Sequence, residues 1–193
     1  MGPDGCVYAP PCGAGRVLRV NCATGEFELI GPELPGGTWK YAAAVLGPDG
    51  CMYAPPCSAG RVLRVDCAKG AVELLHPDLG PTPHKYHCAV LAPDGCVYSA
   101  PNDAGRVLRV DCARREVRLI GPELGGRGKW VAAALGSDGC VYAPPCNYNR
   151  VLRVDCLARK VECIGPDLAL TGEAGGQGAW VSAVTGPDGN VYA

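Results

Sequence analysis

Phenylalanine occurs once in this chain of 193 residues, methionine twice and tryptophan three times. A core must therefore be assembled from Val, Leu, Ile, Ala and Cys instead of large rings. No apolar run of about 18 residues is present, so no segment reads as a membrane-spanning helix. Basic charge is not in excess: 18 Lys and Arg face 19 Asp and Glu, and the net charge is -1. Nucleic acid and membrane insertion are accordingly not expected. Thirteen cysteines occur, yet none forms a C-x-x-C pair, the spacing most diagnostic of zinc. The N-terminus lacks a basic segment followed by an apolar stretch, so no secretory signal is read. Cys6 also stands where a myristoylation pattern needs Ser or Thr. The cytoplasm is the favoured compartment. Gly or Pro interrupts every window that could hold a 3.6-residue periodicity, which disfavours helical solenoids.

What is there is repetition. GPDGCVYAPP begins at Gly2, GPDGCMYAPP at Gly47, APDGCVYSAP at Ala92, GSDGCVYAPP at Gly136 and GPDGNVYA at Gly186. Between Asp4, Asp49, Asp94, Asp138 and Asp188 the periods are 45, 45, 44 and 50. A fixed period of this size signals a repeat architecture. The copies span 2–46, 47–91, 92–135 and 136–185, with a partial fifth at 186–193, in a single domain 1–193.

The second copy shows how each is built. Lys40–Leu46 is an apolar run closed by the Pro48-Asp49-Gly50 turn, where Gly supplies the left-handed position. Cys51–Ala54 follows and is stopped by Pro55-Pro56. Arg61–Val65 alternates polar and apolar with period two, and Val72–Leu75 makes the fourth strand. Four short antiparallel strands per repeat of this length predict one blade of a β-propeller. The fold class expected is all-β, with about four four-stranded blades arranged as a closed ring or as an arc of a larger one. Four first strands but five second strands are counted, so one strand is surplus to a closed ring. It frays, exchanges with a neighbour, or belongs to a larger ring.

The order aromatic, small residues, Pro-Asp-Gly, Val-Tyr, turn, Arg-Val-Leu-Arg-Val-Asp resembles the blades of NHL-type and SMP-30/gluconolactonase-like propellers over nearly the whole chain. The Trp-Asp dipeptides of WD repeats and the Gly-Gly doublets of kelch blades do not recur. The resemblance implies that Lys40–Leu46, Lys85–Leu91, Lys129–Leu135 and Ala179–Thr185 line a central channel. It also brings metal-dependent lactonases into view, which place acidic and amide ligands in that channel. These four segments contain no Asp, Glu or Asn, so that activity is carried to no residue.

Eleven of the cysteines are repeat positions. Cys6, Cys51, Cys96 and Cys140 follow the Asp-Gly turn. Cys22, Cys67, Cys112 and Cys156 end the third strand. Cys12, Cys57 and Cys146 occupy the turn between, where the third copy has Asn102. The first two rows suggest the disulfides Cys6–Cys22, Cys51–Cys67, Cys96–Cys112 and Cys140–Cys156. The alternative, reduced buried thiols, is favoured by the odd total and by poor disulfide geometry directly across a ladder.

Function is sought where the copies differ. The second copy holds all three histidines, His76, His84 and His87. Read as a strand, it points His84 and His87 to opposite faces, leaving His84 and Cys88 as candidate metal ligands; a pair is too few, and no cofactor is expected. Lys40, Lys85 and Lys129 recur beside Tyr41, Tyr86, Trp130 and Trp180, a candidate ring of cations and aromatics at a channel mouth for a protein or small ligand. Packing between blades is the alternative. Arg16, Arg19, Arg61, Arg64, Arg106, Arg109, Arg150 and Arg153 sit among Glu28, Glu73, Glu116 and Glu162, as cross-strand ion pairs would. The Gly-rich linker Ala169–Gly178 is a candidate contact loop.

The regular copies and the lack of a converging polar set point to a non-catalytic scaffold that binds a protein or small ligand at a ring face. A structural subunit docking through edge strands is the alternative, and a hydrolase of the resembled type is disfavoured. A protein partner or self-association is expected.

Overall fold

The computed structural model describes residues 1–168 and 178–193; the Gly-rich linker, save Gly178, lies outside them. The described residues form strands and turns without a helix. In the second blade β4 (Val45–Leu46), β5 (Cys51–Ala54), β6 (Val62–Asp66) and β7 (Ala71–Leu75) follow the first blade's β1 (Cys6–Ala9), β2 (Val17–Asn21) and β3 (Phe27–Ile30). The third blade contributes β8 (Val90–Leu91), β9 (Cys96–Ser99), β10 (Val107–Asp111) and β11 (Glu116–Ile120). The fourth contributes β12 (Ala134–Leu135), β13 (Cys140–Ala143), β14 (Val151–Asp155) and β15 (Lys160–Ile164), and β16 (Val184–Thr185) and β17 (Val191–Tyr192) close the order. Three four-stranded sheets, one three-stranded sheet (β1–β3) and one two-stranded sheet (β16–β17) result, each a meander in chain order. β4, β8, β12 and β16 pack successively beside one another and so line the inner edge. No ladder joins β17 to β1.

The sheets stack face to face, and the strand period of two sorts each strand between two seams. Met52 and Ala54 turn toward the first sheet, into a core with Val17, Ile30 and Leu63. Cys51 and Tyr53 turn the other way, into a core with Val97, Leu108 and Val110. The next seam joins Cys96 and Tyr98 to Val141, Leu152 and Val154.

The Asp-Gly turn fixes the register. Asp49 Oδ1 accepts the Cys51 amide at 3.3 Å, while Oδ2 lies 2.9 Å from the Tyr53 hydroxyl. That hydroxyl also reaches the Cys112 carbonyl of the next blade at 3.2 Å and accepts from Arg64 Nε at 3.2 Å. The same set recurs at Asp4, Tyr8 and Arg19, and at Asp94, Tyr98 and Arg109. Each of these three turns therefore staples its own hairpin and ties one blade to the next.

Register also decides the cysteine question. Cys6, Cys51, Cys96 and Cys140 pair with Asn21, Asp66, Asp111 and Asp155, one residue short of the other cysteine row. One residue along a strand reverses the face. Cys51 thus lies in the seam toward the third copy and Cys67 in the seam toward the first. The suggested pairs Cys6–Cys22, Cys51–Cys67, Cys96–Cys112 and Cys140–Cys156 are not formed; all thirteen cysteines are free thiols.

The inner strands are shorter than expected. Only Val45–Leu46 of Lys40–Leu46 ladders, with one further bridge between Tyr41 and Pro56. The remainder links blades: the Lys40 amide donates to the Cys12 carbonyl and its own carbonyl accepts from the Cys57 amide. Of the expected ion pairs, Arg19–Glu28 (2.7 Å), Arg64–Glu73 (3.4 Å) and Arg153–Glu162 (2.9 Å) form. Arg109 faces Arg118 across the ladder, so it turns to Asp94 and Asp111 instead.

Candidate functional site

Successive blades are joined at the inner edge by a repeated exchange. The amides of Lys40, Lys85, Lys129 and Ala179 donate to the carbonyls of Cys12, Cys57, Asn102 and Cys146. The residue just before each of these, Trp39, His84, Gly128 or Gly178, has a positive φ of 60°, 51°, 62° or 77°. Glycine adopts that conformation freely, whereas a side chain there costs of order 1 kcal/mol. His84 and Trp39 bear that strain where sister copies have glycine. At His84 the backbone is held by Asp103, whose amide donates to the His84 carbonyl at 3.0 Å, and by Asn102 Nδ2 at 3.1 Å.

The twist of the backbone at His84 has a chemical result. Because His84–His87 is not a strand, its two imidazoles do not diverge; their rings lie 5.6 Å apart. Both face the Cys57 thiol of the preceding blade. Cys57 Sγ lies 3.8 Å from His84 Nδ1 and 3.4 Å from His87 Nε2. All three donor atoms fall within 4.8 Å of one another. Cys57 is buried and both imidazoles are half-buried, so the cluster is anchored in the fold at its sulfur. Trp39 stacks edge-on against His84 at 5.9 Å. Burial pushes the Cys57 thiol above its ordinary value, with a hydrogen bond from Ser58 opposing. Burial, and then the neighbouring His84, hold His87 below the ordinary imidazole value, with Asp103 opposing.

Sequence reasoning chose the wrong partner for His84. Cys88 is buried in the seam toward the fourth copy, its Sγ 3.7 Å from Ser99 Oγ. In the sequence Cys57 stands out only as a repeat cysteine. Its contact with residues 27 and 30 positions onward follows from how blades stack. The available signal was that the blade-linking turn has Cys at 57 while histidines occupy 84 and 87 alone.

The expected channel-mouth ring is corrected. Lys40, Lys85 and Lys129 are buried, and their ammonium groups are consumed internally. Lys40 donates to the Gly37 carbonyl, Lys85 to Gly80 and Thr82, and Lys129 to Ala104 and Gly126. Burial lowers the pKa of Lys85 and Lys129. Tyr41, Tyr86 and Trp130 fill the seams and donate to the carbonyls of Arg61, Arg106 and Arg150. Trp180 is half-buried. These side chains tie blades together and present no free cation to a ligand.

The geometry defines a β-propeller repeat protein, and solved structures agree. Virginiamycin B lyase from Staphylococcus aureus superposes with a TM-score of 0.74 at 18% identity, covering 99% of this chain and 60% of that one. A catalytically inactive histidine-to-alanine variant of that lyase, solved with quinupristin, gives 0.70 at 18% identity, covering 98% and 62%. The extracellular domain of a putative one-component system from B. thetaiotaomicron gives 0.69 at 10% identity, covering 99% and 25%. This chain thus spans about three-fifths of the lyase's length. No protein-family model and no curated protein matches it.

Two expectations change here. The non-catalytic scaffold rested on the idea that symmetric copies leave no place for chemistry, and it is overturned. An enzyme is built on this same succession of blades, and the copies do diverge at one polar cluster. The lean toward the cytoplasm gains no support, since other matched propellers are extracellular domains. Among the described residues no helix is long and apolar enough to cross a membrane.

Proposed function

We propose that this chain is the propeller portion of an enzyme, with its active centre at Cys57, His84 and His87. The reaction is the lytic or hydrolytic cleavage of a small molecule at the inner edge. The observation that carries the proposal is the convergence of one thiol and two imidazoles from adjacent blades within 4.8 Å, at the point where the repeats lose their symmetry. Cleavage of this kind needs a base at neutral pH, and imidazole is the side chain suited to it. The lyase with the same architecture supports the reading: its histidine-to-alanine variant is catalytically inactive.

The test is turnover of streptogramin B compounds, quinupristin first, followed by chromatography and mass spectrometry. Wild type should convert the compound, and His87→Ala should lose at least about a hundredfold in rate, the low end of acid–base contributions. Turnover that survives His87→Ala and His84→Gly unchanged would place the chemistry elsewhere. Absence of turnover in wild type would remove this substrate class.

A further inference from the structure

We infer that Cys57, His84 and His87 bind one divalent transition-metal ion, zinc or an ion of similar softness, with a fourth position open to water or substrate. The inference rests on reading this cluster as the functional centre, but not on imidazole acting as the base, since a nitrogen that binds the ion takes up no proton.

The donor set fits. Thiolate and imidazole are the ligands that zinc prefers, and three protein ligands with an open position is the arrangement of catalytic sites. Spacing fits as well. With Zn–S near 2.3 Å and Zn–N near 2.05 Å, tetrahedral geometry separates a sulfur from a nitrogen by about 3.6 Å. The observed separations, 3.4 and 3.8 Å, bracket that value. Cys57 is buried and both imidazoles are half-buried, so solvent reaches the cluster from the histidine side. On binding, the Cys57 thiol releases its proton to solvent and the sulfur takes up the ion as thiolate.

His84 supplies a second, independent observation. A histidine stands with φ 51° where two of the three sister positions, Gly128 and Gly178, are glycine. Strain of this kind is retained where the side chain has a task. The ligands also come from two sides of a seam, Cys57 from the second blade and both histidines from the link that leads into the third, so an ion would clamp it.

Sister copies provide variants suited to the local backbone. Cys57→Asn copies Asn102, His84→Gly copies Gly128, and His87→Ala copies Ala42. Arg115→Gly is the control, since it relaxes a left-handed backbone position of the same kind, φ 54°, outside the cluster. The full chain is reduced, freed of metal with a chelator and titrated with Co²⁺ by absorption, then with Zn²⁺ by competition against a chromophoric chelator. One ion per chain is expected, with the thiolate-to-cobalt charge-transfer band and the strong visible bands of a tetrahedral ion. Each ligand variant should weaken binding more than about a hundredfold, since even loss of a side chain that only orients a ligand costs about 10–100-fold. Arg115→Gly should leave it unchanged. Binding that survives all three variants, or no binding at all, overturns the inference. Tight stoichiometric binding without turnover keeps the ion and removes the proposed substrate class; turnover by a chain that binds no ion on titration keeps the reaction and rejects the ion.

Discussion

Removing one hydroxyl separates the inter-blade tether from ordinary strand packing. Tyr53→Phe deletes an oxygen that accepts from Arg64 Nε and lies within hydrogen-bond distance of Asp49 Oδ2 and the Cys112 carbonyl. The Tyr53 side chain is fully buried and Arg64 nearly so. Hydrogen bonds to charged groups are worth about 1.5–3 kcal/mol, and buried partners left unpaired add to the loss. The expected cost is about 2 kcal/mol. With a urea m-value of about 2 kcal/mol/M, the unfolding midpoint falls by about 1 M at unchanged slope. Tyr192 makes the same contact to Asp188 at 2.8 Å but is exposed. Tyr192→Phe should therefore move the midpoint by a small fraction of that. Urea titrations followed by circular dichroism make the comparison, and equal shifts for the two variants would refute the tether.

Acid should weaken the fold through the turn aspartates. Burial pushes the Asp49 carboxyl up, but hydrogen bonds from Tyr53, Cys51 and Arg64 outweigh it and leave it below its ordinary 3.8. The Cys140 amide and the Tyr142 hydroxyl lower Asp138 likewise. A lowered native pKa gives stability that is present above the unfolded value and lost as pH falls through the folded one. The urea midpoint should hold down to about pH 4 and drop below it; a flat profile to pH 2.5 contradicts the staple. Gly31 has φ 73° and a Cβ there would run into Val72 of the next blade, whereas Gly5, at φ 76°, has open space around it. Gly5→Ala should cost about 1 kcal/mol from backbone strain alone and Gly31→Ala clearly more, as read by thermal unfolding. Cys12 and Cys22 are exposed, so two thiols should react rapidly with an aromatic disulfide reagent in the native state. All thirteen should react after denaturation without reductant; a total of about five would restore the four disulfides. Val7, Phe27 and Leu29 are exposed on the first sheet and Val181, Val184 and Tyr192 near the last. Copies should therefore associate as concentration rises, and light scattering that returns 19.9 kDa throughout would contradict this.

The propeller was legible because its cause is local. Pro-Asp-Gly closes a hairpin, Val-Leu-Arg-Val alternates, and both recur at a fixed period. The site was hidden because its cause is the stacking of blades. Cys57 meets His84 and His87 only after two sheets pack, and His84 points at it only because its backbone is left-handed. Read as strand, the same residues diverge. The lysines misled for a related reason: a row of equally spaced cations looks like a ring on the surface, yet each side chain folds back on carbonyls of the link between two blades. The disulfides failed on an offset of one residue, which spacing along the chain does not resolve and ladder register does.

The central claim, that one thiol and two imidazoles form a single cluster, is tested most directly by nuclear magnetic resonance of the imidazoles. The chain has only three histidines. The account predicts that His87 titrates below the ordinary 6.5, and that Cys57→Asn moves the resonances of both His84 and His87 while leaving His76 in place. Three independent imidazoles, none responding to the loss of Cys57, would contradict it.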